Sequence, residues 1–482
     1  MYIGVDLGST NLKAALYDVN LNCIAQKGAP VAYIRQGEFI EFDAKKYFDS
    51  LVAILAQLMA ENPGEVSQIA FTGQAESLVC LGKDGNPVHN AISWMDERSG
   101  EECAYLETLF SAETCHRITG QQAVLPTWPA TKILWLQRHK PEIFGKVETY
   151  MLLKDYIVYG LTGKKCADMS IATFSFYFDI YRKCYWKEML NAIGISETQL
   201  PALIEPCTVV GALTAEAAAA TGLTVNTRVN TGTLDHFAGM IGTGNTAPGG
   251  MTLSTGTTMV LTTMAEGTPD PDCDMALHYG FKPDTYVMLP VMESGGACLD
   301  WFRRTCMDNM DYDTLNKELL AAPEAQLLFL PYLVGTNAPE FDREATGVFY
   351  GLRQEHTNVQ MAKAVMEGVC FVLRKNCEDI LAKGTKISSI VATGGGAKSP
   401  VWCQLQADIT GLPVEVPAVT EAGCLGAAMV AAWSEGQYES LEAAAKDVKM
   451  VRSYTPNATA AMEEKYRKFN KLYDAMLEIA RM

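Results

Sequence analysis

The first thirty residues alternate between apolar runs and short polar interruptions. "YIGVDL" is a nearly continuous apolar run of strand length, "LKAALYD" is a second, and a third spans residues 23–31. Runs this short, bounded by glycine, asparagine and hydroxyl residues, read as strands rather than helices. The pattern therefore predicts strands over 2–7, 12–18 and 23–31, with "DVNLN" as the turn between the last two. The period then changes. "DAKKYFDSLVAILAQLMAEN" has an apolar face at helical spacing behind an N-capping Asp43, and "VSQIAFTG" returns to a short buried strand.

Residues 101–205 read as a long helical, aromatic-rich middle. "GLTVNTRVNTGTLDHFAGMIGTG" then predicts a strand, a small-residue turn and a helix beginning near Asp235. "GGMTLSTGTTMVLTT" repeats the opening theme of strand, hydroxyl-rich turn and strand about 250 residues later. A duplicated α/β architecture accounts for this, with a boundary in the linker-like "GTGNTAPGG" at 243–248. Further on, "TNVQMAKAVMEGVCFVLRKNCEDILAKG" predicts an amphipathic helix stopping at Gly384. "ISSIVATGGG" predicts a strand running into a glycine triplet, followed by the helix "VWCQLQADITG". The C-terminal stretch from residue 457 reads as a charged amphipathic helix that packs.

At 482 residues the chain exceeds one ordinary core, which agrees with two domains. A net charge of −17 argues against nucleic-acid backbone binding but permits a small anion held by backbone N–H groups. The 14 cysteines include no C-x-x-C pair and no zinc spacing, so they read as small buried hydrophobes of a reducing cytosol. The first strand starts at Tyr2, leaving no space for a signal peptide, and no apolar run reaches membrane-span length. The expected location is cytoplasmic.

Four places carry candidate chemistry. Asp6 ends a buried strand, where a carboxylate needs a partner, a metal or water. One reading has it capping the turn through Ser9 or Thr10 N–H. The other has the turn cradle phosphate while Asp6 holds a hydrated Mg2+. Lys13 could reach a phosphate or stand as an exposed strand residue. "STGTT" (Ser254 to Thr258) is a second hydroxyl-rich turn, and phosphoryl transfer needs donors on both sides of the migrating group. "ATGGGAKSP" is either a ligand-approaching glycine turn or a plain strand-to-helix turn; it is not a Walker A motif. Asp235 is either an N-cap or a general base, the helix N-terminus favouring its ionised form.

Together these segments resemble the FGGY carbohydrate kinases of the actin, sugar kinase and Hsp70 ATPase superfamily. The resemblance runs over nearly the whole chain. It includes "GVDLGSTNLKAAL", "AISWMDERS", "KILWLQRHKPEIF", "LLKDYIVYGLTG", "DMSIATFSFYFDI", "STGTT", "FLPYLVGTNAPEFD", "GVFYGLRQEHTNVQMAKAVMEGV", "GGGAKSPVWCQLQADITG" and "EAGCLGAA". It implies an α/β protein of two RNase H-like, actin-like ATPase domains around a central cleft. The N-terminal domain, 1–243, carries the sugar site and first phosphate loop. The C-terminal domain, 244–482, carries the second phosphate loop and the adenosine site.

The implied activity is ATP-dependent phosphorylation of a sugar or polyol hydroxyl, a ketopentose such as xylulose first. Another polyol, a hexulose, a sugar acid or a non-catalytic sugar- and nucleotide-binding regulator stand as alternatives. The resemblance puts Asp235 on the catalytic base and Asp6 on the Mg2+ position, with Asp235 as a second carboxylate for the metal. Thr10, Asn11 and Lys13 fall on the first phosphate loop, and Thr255, Gly256, Thr257 and Thr258 on the second. Gly395, Gly396 and Ser399 fall on the adenosine site, and Gly296 and Asp300 line the nucleotide pocket. The substrate loop is "TGQAES", so Gln74, Ala75, Glu76, Asp235 and His236 are the substrate-binding candidates, with Trp94, Asp96 and Arg98 near this loop. The loop departs from the S-G-Q-M-H-G of xylulokinases and the N-Q-R-E-T of glycerol kinases. "GTNAP" likewise stands where many xylulokinases read "GERTP", so the chain departs from the xylulokinases where the sugar is read. The expected partners are a small sugar or polyol and MgATP, with neither nucleic acid nor membrane; homodimers are common in such kinases.

Overall fold

The computed structural model describes every residue except 274 and 481. The chain divides into two compact units. Unit 1 gathers Met1–Thr246, Gly267–Val287 and Val419–Asp447; unit 2 gathers Ala247–Glu266, Met288–Ala418 and Val448–Met482. The sequence reading placed a single crossing at 243/244. The chain first crosses between Thr246 and Ala247, then returns to unit 1 twice. Those two returning segments carry no composition signal, because packing rather than local sequence assigns them.

Unit 1 is built on a six-stranded mixed sheet. Its strands are β1 (Tyr2–Leu7), β2 (Asn11–Tyr17), β3 (Cys23–Pro30), β4 (Gln68–Gly73), β5 (Val209–Ala212) and β6 (Arg228–Leu234), in the order β5-β6-β4-β1-β2-β3. β1 runs antiparallel to β2 and parallel to β4, and β4 runs parallel to β6. β1 is buried on both faces, which explains why its sequence is a continuous apolar run rather than an alternation. Ile3, Val5 and Leu7 share a core with helix α1 (Ala44–Glu61), while Tyr2 and Ala70 pack with the helix Ala422–Ser434. That helix lies so close to the sheet that a Cβ on Gly4 would stand 1.9 Å from Cys424 O. Asp43 caps α1 as expected, accepting from Lys46 N at 3.0 Å.

The middle of unit 1 departs from the helical expectation. Helices such as α2 (Pro129–His139) alternate with short strands, among them Thr149–Leu152 and Cys166–Asp168. Thr149–Leu152 joins Leu78–Leu81, Ala91–Ile92, Phe39–Phe42 and Ile34–Gln36 in a second, five-stranded sheet. Strands of two to four residues are too short to show a period, and tertiary pairing makes them.

Unit 2 repeats the opening of unit 1. β7 (Gly249–Thr255) is antiparallel to β8 (Met259–Met264) and parallel to β9 (Ile387–Gly394), and the sheet continues to β10 (Val414–Pro417) and β11 (Met450–Tyr454). The repeat holds in register. Leu7 pairs with Leu12 and Gly73 in unit 1, and Thr255 pairs with Met259 and Gly394 in unit 2. The long helix Asn358–Ala382 starts at a Thr357/Gln360 capping box and ends just before Gly384, whose φ is +87°. Among the described residues no helix is long and apolar enough to cross a membrane. Cysteines are largely buried, but Cys23, Cys184 and Cys306 are exposed, contrary to the uniform expectation.

Candidate functional site

Sheet topology gathers the unit 1 candidates. β1, β4 and β6 run parallel and adjacent, with Leu7, Gly73 and Leu234 in register. Their C-terminal ends therefore open at one edge, and each delivers a polar group. Asp6 and its turn follow β1, Gln74 to Glu76 follow β4, and Asp235 and His236 follow β6. In parallel sheets this carboxyl edge is where ligands bind.

Asp6 is half-buried and pairs across the hairpin with Lys13. Among the described residues no N–H of the turn donates to its carboxylate, so the capping alternative does not hold. Burial first, then the nearby Asp235 charge, pushes the Asp6 carboxyl up to about 7, with the Lys13 charge opposing. Lys13 Nζ bonds Glu421 Oε2 at 2.7 Å, and Asn11, Lys13 and Glu421 share a cavity of about 320 Å3. The Lys13 ammonium is therefore neither free nor a plain strand-surface charge. Thr10 lies in the turn itself.

Gln74 is buried and uses both ends of its amide within the protein. Nε2 donates to Gly8 O at 3.4 Å, and Oε1 accepts from Ser77 Oγ at 2.8 Å. Ala75 and Glu76 are half-buried, and Glu76 takes a φ of +63°. A left-handed backbone at a non-glycine residue is strained and marks a conformation held by its surroundings. The clamp is Lys132 of α2, wholly buried, whose Nζ donates to Glu76 O at 3.2 Å and to Ser93 O at 2.8 Å. Burial pushes the Glu76 carboxyl up, against the pull of the Lys132 charge and a hydrogen bond with Thr127. The Lys132 ammonium is pushed down by the same burial. Sequence reasoning quoted "KILWL" without giving Lys132 a task. The available signal was a lysine among Ile133, Leu134 and Leu136, all buried on a short helix.

Asp235 and His236 begin helix α3 (Asp235–Gly242) and are half-buried. Asp235 is the first helical residue, not the N-cap. Leu234 holds the cap position, and Asp235 Oδ1 accepts from His236 N at 2.6 Å. Its strand end is braced from below. Lys154 pairs with Asp168 and donates to Thr231 O at 2.8 Å, while Asp168 caps a short turn of helix at Ser170. Ser170 Oγ in turn takes Thr233 Oγ1 at 2.8 Å and Leu234 N at 3.3 Å. Of the other residues near the substrate loop, Asp96 and Arg98 form a buried ion pair with Glu41 that fixes the Ile40 backbone. Trp94 is 38% exposed, so it is not core. Trp128, unassigned from sequence, stacks on Phe176 with centroids 5.8 Å apart.

Unit 2 places its candidates around one cavity of about 600 Å3. Thr255, Gly256, Thr257, Gly296, Asp300, Gly395, Gly396 and Ser399 all line it, joined by Arg304, Tyr312, Asn316 and Trp402. Thr258 is not among the lining residues; its carbonyl accepts Gly256 N at 2.9 Å and shapes the turn. The helix Gly296–Cys306 begins against that turn. Gly296 N donates to Gly256 O at 2.8 Å, and a Cβ on Gly296 would lie 2.5 Å from the same oxygen. Asp300 is tied to Arg303 and Arg304, each at 2.8 Å. Ser399 caps the helix Pro400–Thr410 and bonds Asn316, so its hydroxyl is already used. Thr255 Oγ1 is different: it is buried without a partner among the described residues, at the wall of the cavity. An unmet hydroxyl beside a turn of backbone N–H groups suits an incoming phosphate.

Two family models match the chain. The N-terminal domain of the FGGY family of carbohydrate kinases covers residues 1–242, and the C-terminal domain covers residues 251–435. A xylulose kinase of Bacillus subtilis (strain 168) is 31% identical over 98% of this chain and 95% of its own length. The crystal structure of xylulose kinase from Rhodospirillum rubrum superposes with a TM-score of 0.94 at 27% identity, covering 100% of this chain and 99% of that one. A gluconate kinase from Lactobacillus acidophilus superposes with a TM-score of 0.90 at 27% identity, covering 100% and 97%. Both domains, in order and nearly complete, carry the actin-like ATPase fold, and the chain belongs to the FGGY family of carbohydrate kinases, phosphotransferases that use ATP as co-substrate.

Proposed function

We propose that the protein phosphorylates a hydroxyl of a ketopentose such as xylulose, with MgATP as donor. The observation that carries this reading is the shared edge of β1, β4 and β6, which brings the half-buried Asp6 carboxylate, the polar Gln74–Glu76 loop and a helix-borne aspartate together in unit 1. Gln74 and the Glu76 carboxylate bond hydroxyls of the acceptor, and a site built on such bonds rejects analogues that lack them. Ala75 and His236 complete the contact surface. Asp235 accepts the proton of the attacking hydroxyl, and the brace through Ser170 and Thr233 fixes where its carboxylate stands. Thr10, Asn11 and Lys13 in unit 1, and Thr255, Gly256, Thr257 and Thr258 in unit 2, serve the phosphates. Gly395, Gly396, Gly296, Asp300 and the Ser399 turn serve the nucleoside.

Mg2+ fits the residues present. Among the described residues no group of three or more His, Cys, Asp or Glu forms a self-sufficient cation cage. Asp6 is a half-buried carboxylate repelled by Asp235, an arrangement a divalent ion relieves. Asp6, with Asp235, would hold a Mg2+ whose other ligands are water and phosphate, and the ion would neutralise phosphate charge.

Two features favour a neutral sugar over a sugar acid. The loop holds Ala75 where an arginine could face a carboxylate, and the surrounding charges at Asp6, Glu76 and Asp235 are acidic. The test is coupled ADP release across pentuloses, hexuloses, polyols and gluconate, with wild type and Asp235→Ala. A ketopentose should give the highest kcat/KM. The variant should lose roughly 100-fold or more in kcat while still binding ATP. Preference for gluconate would replace the ketose reading, and wild-type turnover by Asp235→Ala would remove that residue from the chemistry.

A further inference from the structure

One buried polar side chain beside these residues lacks its bonds. His278 sits on the short strand Leu277–Tyr279, which is pinned on either side. Leu277 N donates to Gly120 O at 2.9 Å, and Tyr279 N donates to Thr173 Oγ1 at 3.3 Å. The side chain is 2% exposed, and neither Nδ1 nor Nε2 has a hydrogen-bond partner among the described residues. Native proteins rarely leave one such atom unmet, and here both nitrogens of one ring are.

The neighbours of that ring lead back to the acceptor residues. His278 meets Phe174 edge-on with centroids 4.4 Å apart, and Phe174 lies 6.2 Å from Trp128. Thr127, the residue before Trp128, bonds Glu76, and Glu76 feels the charge of Asp235. His236, the residue after Asp235, lies near enough to His278 to act on its ionisation. Ring contacts thus join His278 to Phe174 and Trp128, Thr127 carries the chain on to Glu76, and the charges of Asp235 and His236 are felt at Glu76 and His278 respectively. Trp128 and Phe174 supply aromatic surface, and the others supply polar groups.

The chemistry of the ring states what completes it. Burial and the adjacent His236 push the His278 imidazole down to about 3, so it stays neutral. A neutral imidazole offers one donor and one acceptor. Sugar hydroxyls match both functions, whereas a carboxylate could use only the donor. We propose that His278 is a specificity-determining residue whose unmet nitrogens read an acceptor hydroxyl other than the one Asp235 deprotonates, in a neutral ketose. This rests on the ketose reading above.

The test uses the full chain with His278→Phe, which keeps an aromatic ring and removes both polar nitrogens, and His278→Asn as a second variant should the first not fold. Steady-state KM for ketose and for ATP are measured separately, with melting temperature in the absence of sugar. A series of single-deoxy ketoses completes the set. For His278→Phe the expected result is a ketose KM raised roughly 10- to 100-fold, an unchanged ATP KM, and a melting temperature equal to or above wild type. One deoxy analogue that wild type rejects should no longer be penalised relative to the parent ketose. His278→Asn should fall between. A lowered melting temperature with unchanged ketose KM would mean a buried water or a packing role satisfies the ring, and would overturn the proposal. If wild type prefers gluconate to every ketose, the functional reading and this one fall together; if wild type takes the ketose and the variants share its KM, this one falls alone.

Discussion

Replacing Lys132 with methionine tests whether a buried lysine sets the substrate loop. Methionine keeps the unbranched stem and removes the ammonium. In the protein that ammonium is wholly buried and donates to Ser93 O at 2.8 Å and Glu76 O at 3.2 Å. Leaving two buried carbonyls short of a donor costs about 1–3 kcal/mol each. Against this, the variant no longer strips water from a cation, which offsets several kcal/mol at most sites of this kind. Each carbonyl keeps a second lone pair for another donor, so a net loss of about 2 kcal/mol is expected. In a large domain that lowers the melting transition by roughly 4–8 °C.

Stability alone would not distinguish Lys132 from any core residue, so the decisive assay is the pH dependence of the sugar KM. Burial raises the Glu76 carboxyl, and the Lys132 charge is the first force opposing that rise. Without it the carboxyl rises further, and at neutral pH more of Glu76 is protonated and unable to accept two hydroxyl bonds. Lys132→Met should therefore raise the ketose KM near pH 7 and recover progressively as pH increases, while the ATP KM stays level. The linkage signs are distinct for the two groups. The raised Glu76 carboxyl contributes stability that is complete below its usual value of 4.5 and is lost as pH rises through its folded value. The depressed Lys132 ammonium contributes stability present above its usual 10.5 and lost as pH falls through its folded value. The variant's stability deficit against wild type, unlike its KM deficit, should thus widen on the alkaline side. A variant with a parallel KM–pH profile and a melting point within 2 °C of wild type (roughly the shift expected for 1 kcal/mol) would refute the reasoning.

Two further substitutions separate stability from binding. Lys13→Ala removes an ion pair whose side chains are 37% and 28% exposed, so its stability cost should stay below about 1 kcal/mol; the ATP KM should nonetheless rise about tenfold, since a lysine–phosphate contact is charge-assisted. An unchanged ATP KM would confine Lys13 to its pair with Glu421. Gly232→Ala should behave in the opposite way, because Gly232 has φ +60° and a Cβ there would stand 1.7 Å from Phe71 O, at the bulge in β6. A loss of about 3 kcal/mol or more is expected by calorimetry, and a near-native melting temperature would show that the strand relaxes freely.

What the sequence disclosed and what it hid follow one physical division. The strands β1, β2 and β7 were legible because each is a run long enough to show burial, and the turns between them carry hydroxyls and glycines that only a tight bend explains. The candidate positions Asp6, Gln74, Glu76 and Asp235 were legible for the same reason: each stands where an apolar run stops. Lys132 and His278 were hidden because each sits inside an apolar run, where a lone polar letter looks like noise. Their meaning depends on partners 56 residues away in the case of Lys132 and Glu76, and on a returning segment of unit 1 in the case of His278. The same division governs the substrate question. Hydroxyl-bonding letters in "TGQAES" suit a polyol reader, and on the proposed reading Glu76 does that work from a backbone held at φ +63° with its carboxyl ionised. Lys132, on helix α2, holds that backbone and opposes the rise of the carboxyl, so on this reading the choice of sugar depends on how the loop is clamped as well as on the letters of the loop itself.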